Sequence, residues 1–397
     1  MMKFKFGIIE GTPRAVAVAG LKAVWKPKPQ TEIIPLAESA GRVLAETVYA
    51  PYNLPVVRAS PWDGYAVRSA DFVHGLPDTS GWVEGTDYVQ ADTGDDFSDA
   101  FDAVIPVEDL YFDADGRMCF EEGMDFSEAG RVTPQGSWLK RGEPAVLAGE
   151  VITPMRIAAL AVCGAVEVSV LRKPVIAFIP TGDELVPAGT FPQRGQMVNA
   201  AGPMAAALIR KYGGEPLMFA IVKDDEKSLR EVFSAAVATA DIVFISGGSS
   251  RGGADYTHRI VEEAAAFYVH GMRSVPGYPV ALAEVRGKAV VNIPGPVFAA
   301  SLAADWCLGA LTAQWFGIPV PEKPRVSVKL TADCKKPPAF ELLVRLKLDK
   351  GEAGLLGTPV GKGMSIPAML ESFDALLTVP EGSEGFSAGD TVEAELL

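Results

Sequence analysis

Three times between Pro174 and Ala300 a short apolar run stops in a loop of glycines, small hydroxyls or acids, and this repetition limits what the chain can fold into. PVIAFIP (174–180) runs into Thr181-Gly182-Asp183-Glu184-Leu185. DIVFIS (241–246) runs into Gly247-Gly248-Ser249-Ser250-Arg251-Gly252-Gly253-Ala254-Asp255, and KAVVNI (288–293) into Pro294-Gly295-Pro296. Helical patterns lie between them near 201–212, 226–239 and 255–268, and another follows 297. Short β-rich runs alternating with helices predict a central three-layer α/β domain with a mainly parallel sheet. Ligands in such sheets sit beyond the carboxyl ends of the strands. All three loops fall at that edge, so the active site is expected there.

At 397 residues the chain is long enough for several domains. Its 48% apolar and 22% charged content is that of a soluble globular protein. A net charge of −14 argues against nucleic acid, whose phosphate backbone needs a concentrated positive surface. Cys119, Cys163, Cys307 and Cys334 form no CxxC pair, and His74, His258 and His270 are scattered, which argues against a zinc cluster. No apolar signal-peptide core follows the N-terminal lysines, so a reducing, cytoplasmic setting is expected. Residues 296–320 carry one charge, Asp305, over a length that could cross a bilayer. Following a strand in βα register, they are expected instead to form a buried helix on the sheet or at a subunit interface, with no membrane involved.

Elsewhere the pattern predicts an amphipathic helix over 11–24, with Thr12 placed to cap and Pro13 at the first helical position. A strand, a short helix ending near Gly41 and a second strand follow before Pro51 and Pro55 break the chain. Asp63-Gly64 reads as a hairpin turn, or as a turn presenting a carboxylate beside Ser60 and Trp62. Residues 80–145 read as a β-rich module with DAVIPVED (102–109) as a strand, and the acids between Asp92 and Glu128 as a solvated face. A helix from Pro154 to Cys163 and the strand VEVSVL lead into the central unit, and the tail from about 323 reads as a small β domain. The domain boundaries expected are 1–50 with 146–173 as a discontinuous linker or dimerisation domain, 51–145 as a β-rich lid, 174–322 as the α/β domain and 323–397 as a β-barrel-like domain.

The loop chemistry points the same way. Thr181-Gly182 offers a hydroxyl and a close backbone, followed by carboxylates able to hold a divalent cation, to act as acid and base, or in the case of Asp183 to cap a helix or turn. The loop 246–255 has four glycines and three serines. It reads either as a phosphate or pterin contact, through backbone N–H groups and a helix N-terminus near Asp255, or as a flexible connector. It lacks the Lys-Ser/Thr of a P-loop, and no GxGxxG follows a strand.

In this order the pieces resemble the molybdopterin molybdenumtransferase family, whose members include bacterial MoeA and the gephyrin E domain. The resemblance rests on SPWDGYAVRSADF (60–72), DTGDDFSDAFDAVIPVED (92–109), FIPTGDELVPAG (178–189), GQMVN (195–199), ISGGSSRGGADYT (245–257), VPGYP (275–279) and IPGP (293–296). It implies a MogA/MoaB-like central domain in an elongated, dimerising four-domain subunit. The implied reaction inserts molybdate, or tungstate, into adenylylated molybdopterin with Mg2+ and releases AMP; a MogA-type adenylyltransferase is the implied supplier. The resemblance places the catalytic and metal-holding carboxylates at Asp63, Glu184 and Asp255. Thr93 and Asp183 match further family positions, and the loops at the strand ends add Thr181, Gly182, Ser246, Gly247, Gly248, Ser249, Ser250, Arg251, Pro294, Gly295 and Pro296 as expected substrate contacts.

The chain departs from the family pattern where Lys-Pro-Gly-Lys-Pro reads Val275-Pro276-Gly277-Tyr278-Pro279, where Pro-Gly-Asn-Pro reads Pro294-Gly295-Pro296, and where Arg-Gly-Glu-Asp reads Arg141-Gly142-Glu143-Pro144. A bound oxyanion wants fixed positive charge, so Arg251 and Arg273 are expected to replace the lost lysines. The alternative function is a carrier or scaffold that binds molybdopterin without turnover.

Overall fold

The computed structural model describes residues 11–126, 132–249, 256–352, 354–360 and 373–397. The chain separates into two compact units, residues 32–170 and the remainder on either side of them. Helix α1 (Arg14–Val24) goes with the larger unit, not with the linker domain expected for 1–50. Its buried residues Ala17 and Leu21 are one turn apart and face the sheet of the α/β domain. Pro13, rather than Thr12, precedes the helix as its cap residue. Thr12 is used otherwise: its N–H donates to the Gly271 carbonyl (2.9 Å) and its carbonyl accepts from Arg273 N–H (2.9 Å).

In the smaller unit β1 (Thr31–Pro35) pairs with a strand at the unit's other end, β5 (Glu167–Leu171). Helix α2 (Pro154–Val162) starts at Thr153, whose hydroxyl accepts from Arg156 N–H (3.3 Å). Leu36, Leu44, Val146, Ile152, Leu160, Val168 and Val170 close the core between these two stretches of chain. Within the intervening segment β2 (Gly64–Val67) is the centre of an antiparallel sheet, between β3 (Tyr88–Ala91) and β4 (Ala103–Pro106). Asp63-Gly64 is therefore not a hairpin turn. It is the bend that enters the central strand, whose partners come from later in the sequence. β4 also stops before the end of the predicted run: it closes at Pro106, and residues 107–109 form a 3-10 turn. Asp92, Asp95, Asp96, Asp99 and Asp102 are exposed, as expected of a solvated acidic face.

The larger unit is built on six strands: β6 (Val175–Pro180), β7 (Glu215–Met218), β8 (Ile242–Ser246), β9 (Phe267–His270), β10 (Ala281–Val285) and β11 (Lys288–Ile293). Their order is β7-β6-β8-β11-β10-β9; the first four are parallel and the last two antiparallel. β9 occupies the end of the helix predicted over 255–268, where Phe267, Tyr268, Val269 and His270 suit a strand better than a helix. The middle strands are apolar on both faces because helices cover both. One face carries α1, α3 (Ala201–Lys211) and α6 (Val297–Phe316); the other carries α4 (Glu226–Thr239) and α5 (Tyr256–Ala264). Ile179, Val243, Ile245 and Val290 meet Leu229, Phe233, Val237, Ile260 and Val261 on the second face.

Helix α6 is apolar enough over 20 residues to pass for a membrane span, yet most of it is buried within the protein. Its single charge shows why it belongs in this core: Asp305 accepts from Tyr212 Oη (2.7 Å) and forms an ion pair with Lys323. Burial, followed by that bond to Asp305, pushes the Tyr212 hydroxyl well above its usual range. Asp305→Ala strands the phenol and the ammonium in a half-buried site and should destabilise the protein by about 2–4 kcal/mol. Asp305→Asn retains an acceptor for Tyr212 and should cost less. Urea unfolding of both variants checks the order.

The C-terminal segment closes a five-stranded barrel: β12 (Arg325–Leu330), β13 (Glu341–Gly351), β14 (Gly354–Pro359), β15 (Ala375–Val379) and β16 (Thr391–Leu396), arranged β13-β14-β12-β16-β15 and back to β13. It clusters with the α/β domain rather than apart from it. Residues 274–275 extend the barrel as a short strand beside β13, and Glu341 takes the Ser274 hydroxyl (3.0 Å) and Arg14 (3.0 Å).

Candidate active site

Beyond the carboxyl ends of β6, β8 and β11 lies a cavity of about 800 Å³. The first loop brings Thr181, Gly182 and Glu184 to it, the second Ser246 to Ser249, the third Pro294 to Pro296. Thr181 is buried and fixed to the neighbouring strand end, its N–H donating to the Ser246 carbonyl at 2.8 Å and its hydroxyl to the same oxygen at 3.2 Å. Gly247 and Gly248 have φ of 106° and 53°, in the region glycine tolerates. Space makes the same demand: a Cβ on Gly247 would lie 2.5 Å from the Thr181 carbonyl oxygen, and one on Gly248 2.3 Å from Thr257 Oγ1.

Two helices begin at the cavity. Ala200 and Ala201 at the start of α3, and Val297 and Ala299 at the start of α6, line its wall. Neither first turn holds an acidic residue, so the unpaired N–H groups keep their partial positive charge, each end favouring an anion by about 0.3–1 kcal/mol. The other polar groups include Asn199, which also accepts from Gly202 N–H (3.0 Å), and the carboxylates Glu184 and Asp224. No Lys or Arg lines the cavity among the described residues. Leu185, Met197, Val198, Val275, Pro276, Tyr278 and Pro279 give it a largely apolar flank, suited to a planar heterocycle with an anionic tail.

Nine of the expected contact residues, Thr181, Gly182, Ser246, Gly247, Gly248, Ser249, Pro294, Gly295 and Pro296, thus meet at one place together with the expected carboxylate Glu184. Asp183 is exposed beside them and does not cap a helix; its Oδ1 takes the Asp224 N–H at 3.4 Å. Arg273 does not reach the cavity. It pairs with Glu381 (2.9 Å) and lines a separate groove with Arg14 and Glu341, so its expected place at an oxyanion is corrected. Ser250, Arg251 and Asp255 lie outside the described residues. Asp224 was not expected; its signal was weak, an acidic pair Asp224-Asp225 in which Asp225 caps α4 through the Ser228 N–H (2.9 Å).

Asp63 and Thr93 belong to the smaller unit and meet there. Thr93 N–H donates to Asp63 Oδ1 at 2.7 Å. This bond first, and the Thr93 hydroxyl second, hold the Asp63 carboxyl below its usual range. Because the folded value is depressed, this contact stabilises above the ordinary Asp pKa of about 3.9 and is lost as pH falls through the folded value. Thr93→Val removes only the hydroxyl, so the Asp63 carboxyl should titrate higher but still below an unperturbed Asp, a shift that carboxyl NMR resolves.

Fold and cavity define an α/β protein with a chamber at the carboxyl edge of the parallel strands of its central sheet, where two helices begin and a glycine loop turns. Comparison with known proteins narrows this. Residues 13–164 match the MoeA N-terminal region (domain I and II), 177–313 a probable molybdopterin binding domain, and 327–397 the MoeA C-terminal region (domain IV). The molybdopterin molybdenumtransferase of Staphylococcus epidermidis is 28% identical, the match covering 91% of this chain and 90% of that protein. That of Bacillus subtilis is 27% identical over 93% and 90%. The crystal structure of a molybdopterin biosynthesis MoeA protein from Pyrococcus horikoshii superposes with a TM-score of 0.74 at 26% identity, covering 98% of this chain and 99% of that one. The chain belongs to the molybdopterin molybdenumtransferase family.

Proposed function

We propose that this protein inserts molybdate, or tungstate, into adenylylated molybdopterin and releases AMP. The observation that carries this reading is the cavity itself: an apolar flank for a heterocycle, two helix N-termini and a glycine loop for phosphate, and two carboxylates at one sheet edge. The similarity to proteins named as transferases favours an enzyme over the carrier alternative.

Glu184 and Asp224 offer oxygen donors only, the donor type that a hard divalent cation such as Mg2+ takes. When bound, that ion would supply charge neutralisation at the phosphates. The chain's own residues do the rest: α3 and α6 orient the phosphates through their first-turn N–H groups, and Met197, Val198 and Tyr278 shield the heterocycle from water. On the resemblance, Asp255 is assigned the remaining carboxylate and Asp63 with Thr93 a further part of the machinery; Arg251 is assigned the oxyanion's cation because the loop lysines of the family are absent here.

The reading extends to a cytoplasmic homodimer supplied by a MogA-type adenylyltransferase. Four cysteines without a disulfide accord with a reducing compartment. Exposed Met155 and Val162 at the two ends of α2, and Val166 just beyond it, offer apolar surface that a second copy would cover. The test is AMP release from adenylylated molybdopterin with Mg2+, with molybdate and tungstate in parallel. Oxyanion-dependent release is expected. Tight binding of molybdopterin without release under either oxyanion would make the protein a carrier.

A further inference from the structure

The loop that lines the cavity at Gly247–Ser249 is gripped from behind by two side chains that do not line it. Asn292 is fully buried on β11, and its Nδ2 donates to the carbonyls of Ile245 (3.1 Å) and Gly247 (2.9 Å). His270 ends β9, at the far edge of the sheet, and its Nε2 lies 2.8 Å from the Ser249 carbonyl oxygen. A carbonyl only accepts, so Nε2 must carry the proton. The imidazole is held in that pose by parallel stacking with Tyr268 at 6.4 Å and by His258 at 6.1 Å between ring centroids. Ser249 itself is buried, so this bond has little competition from water.

The two grips have a common consequence. They occupy the carbonyls of residues 247 and 249, while the N–H groups of Gly248 and Ser249 find no acceptor among the described residues. Successive N–H groups released in a loop of positive φ form a concavity for an anion. Such a cradle binds well only if it is already shaped, because ordering a glycine loop at binding costs conformational entropy.

We propose that His270, with Asn292, is a positioning residue that presets the Gly247–Ser249 cradle for a substrate phosphate without touching the substrate. This rests on the molybdopterin reading above for the identity of the ligand. It does not depend on turnover.

The experiment compares His270→Phe, which keeps the ring and loses the donor, with His270→Gln, which keeps a donor. In each, AMP release from adenylylated molybdopterin is measured with Mg2+ and molybdate, alongside molybdopterin binding by pterin fluorescence and thermal unfolding. His270→Phe is expected to raise KM, and weaken molybdopterin binding, by about tenfold or more with kcat changed far less. His270→Gln should recover most of that loss at a similar unfolding midpoint. Equal impairment of both variants, or an unchanged KM in His270→Phe, overturns the proposal. Should His270→Phe not fold, Asn292→Asp decides: it removes the Nδ2 donor, and unchanged binding in that variant is equally fatal. If the wild-type protein binds molybdopterin but releases no AMP, the functional reading fails, while the same comparison of binding still judges the cradle.

Discussion

Glu184→Gln should lower oxyanion-dependent AMP release by about 10²–10⁴-fold, the range for removing a charged group that acts at the reacting phosphate. The same change should hardly move the unfolding midpoint. Glu184 is exposed among the cavity residues and makes no salt bridge among the described residues, so no described core residue loses a partner. Neutralising the carboxylate while keeping its shape separates charge from packing. Raising Mg2+ should restore part of the rate if the lost property is cation affinity. A variant as active as the wild-type protein would remove Glu184 from the machinery and leave Asp224 as the cavity's working acid.

Gly247→Ala is expected to damage stability and ligand binding together. The added methyl carbon would stand 2.5 Å from both the carbonyl and the hydroxyl oxygen of Thr181, and the backbone is held at a φ of 106°. Thr181 has no room to yield, because its own N–H and hydroxyl are tied to Ser246. Strain and overpacking together predict a loss of about 2–4 kcal/mol. Chemical denaturation should show it as a lower midpoint with an unchanged slope. Molybdopterin binding should fall by more than the lost stability accounts for, because the methyl also displaces the loop. An equally stable variant would mean that the loop can be rebuilt without glycine there.

Much of this was visible in the chain's own pattern. β6, β8 and β11 were legible because a strand buried on both faces must be apolar throughout, and because each ends in residues that cannot continue it. Those endings pointed to the edge where ten of the candidate residues meet, and the resemblance added the role expected of Glu184. The antiparallel strand β9 was hidden, since Phe267–His270 continue a helical pattern and its partner β10 comes later in the chain. Asp224 and Asn292 were hidden for a related reason. One looks like an ordinary helix-capping acid, and the other sits inside an apolar run where its role depends on carbonyls 45 and 47 residues away. Arg273 misled because charge and proximity in sequence do not reveal direction; Glu381, from the barrel, decides where it points.

The barrel's hold on the α/β domain has a bearing on how the protein can be divided. Residues 274–275 are stitched to β13 immediately before the 275–279 loop enters the cavity, and Phe298 and Leu302, just inside α6, rest on Leu343 and Leu376 of the barrel. Two walls of the ligand chamber therefore lean on residues that the α/β segment does not itself encode. Excising residues 174–322 as an autonomous module would retain the sheet but release both props. Grafting that segment into another protein would transplant a fold without its pocket, so selection on ligand affinity must act on the barrel as well.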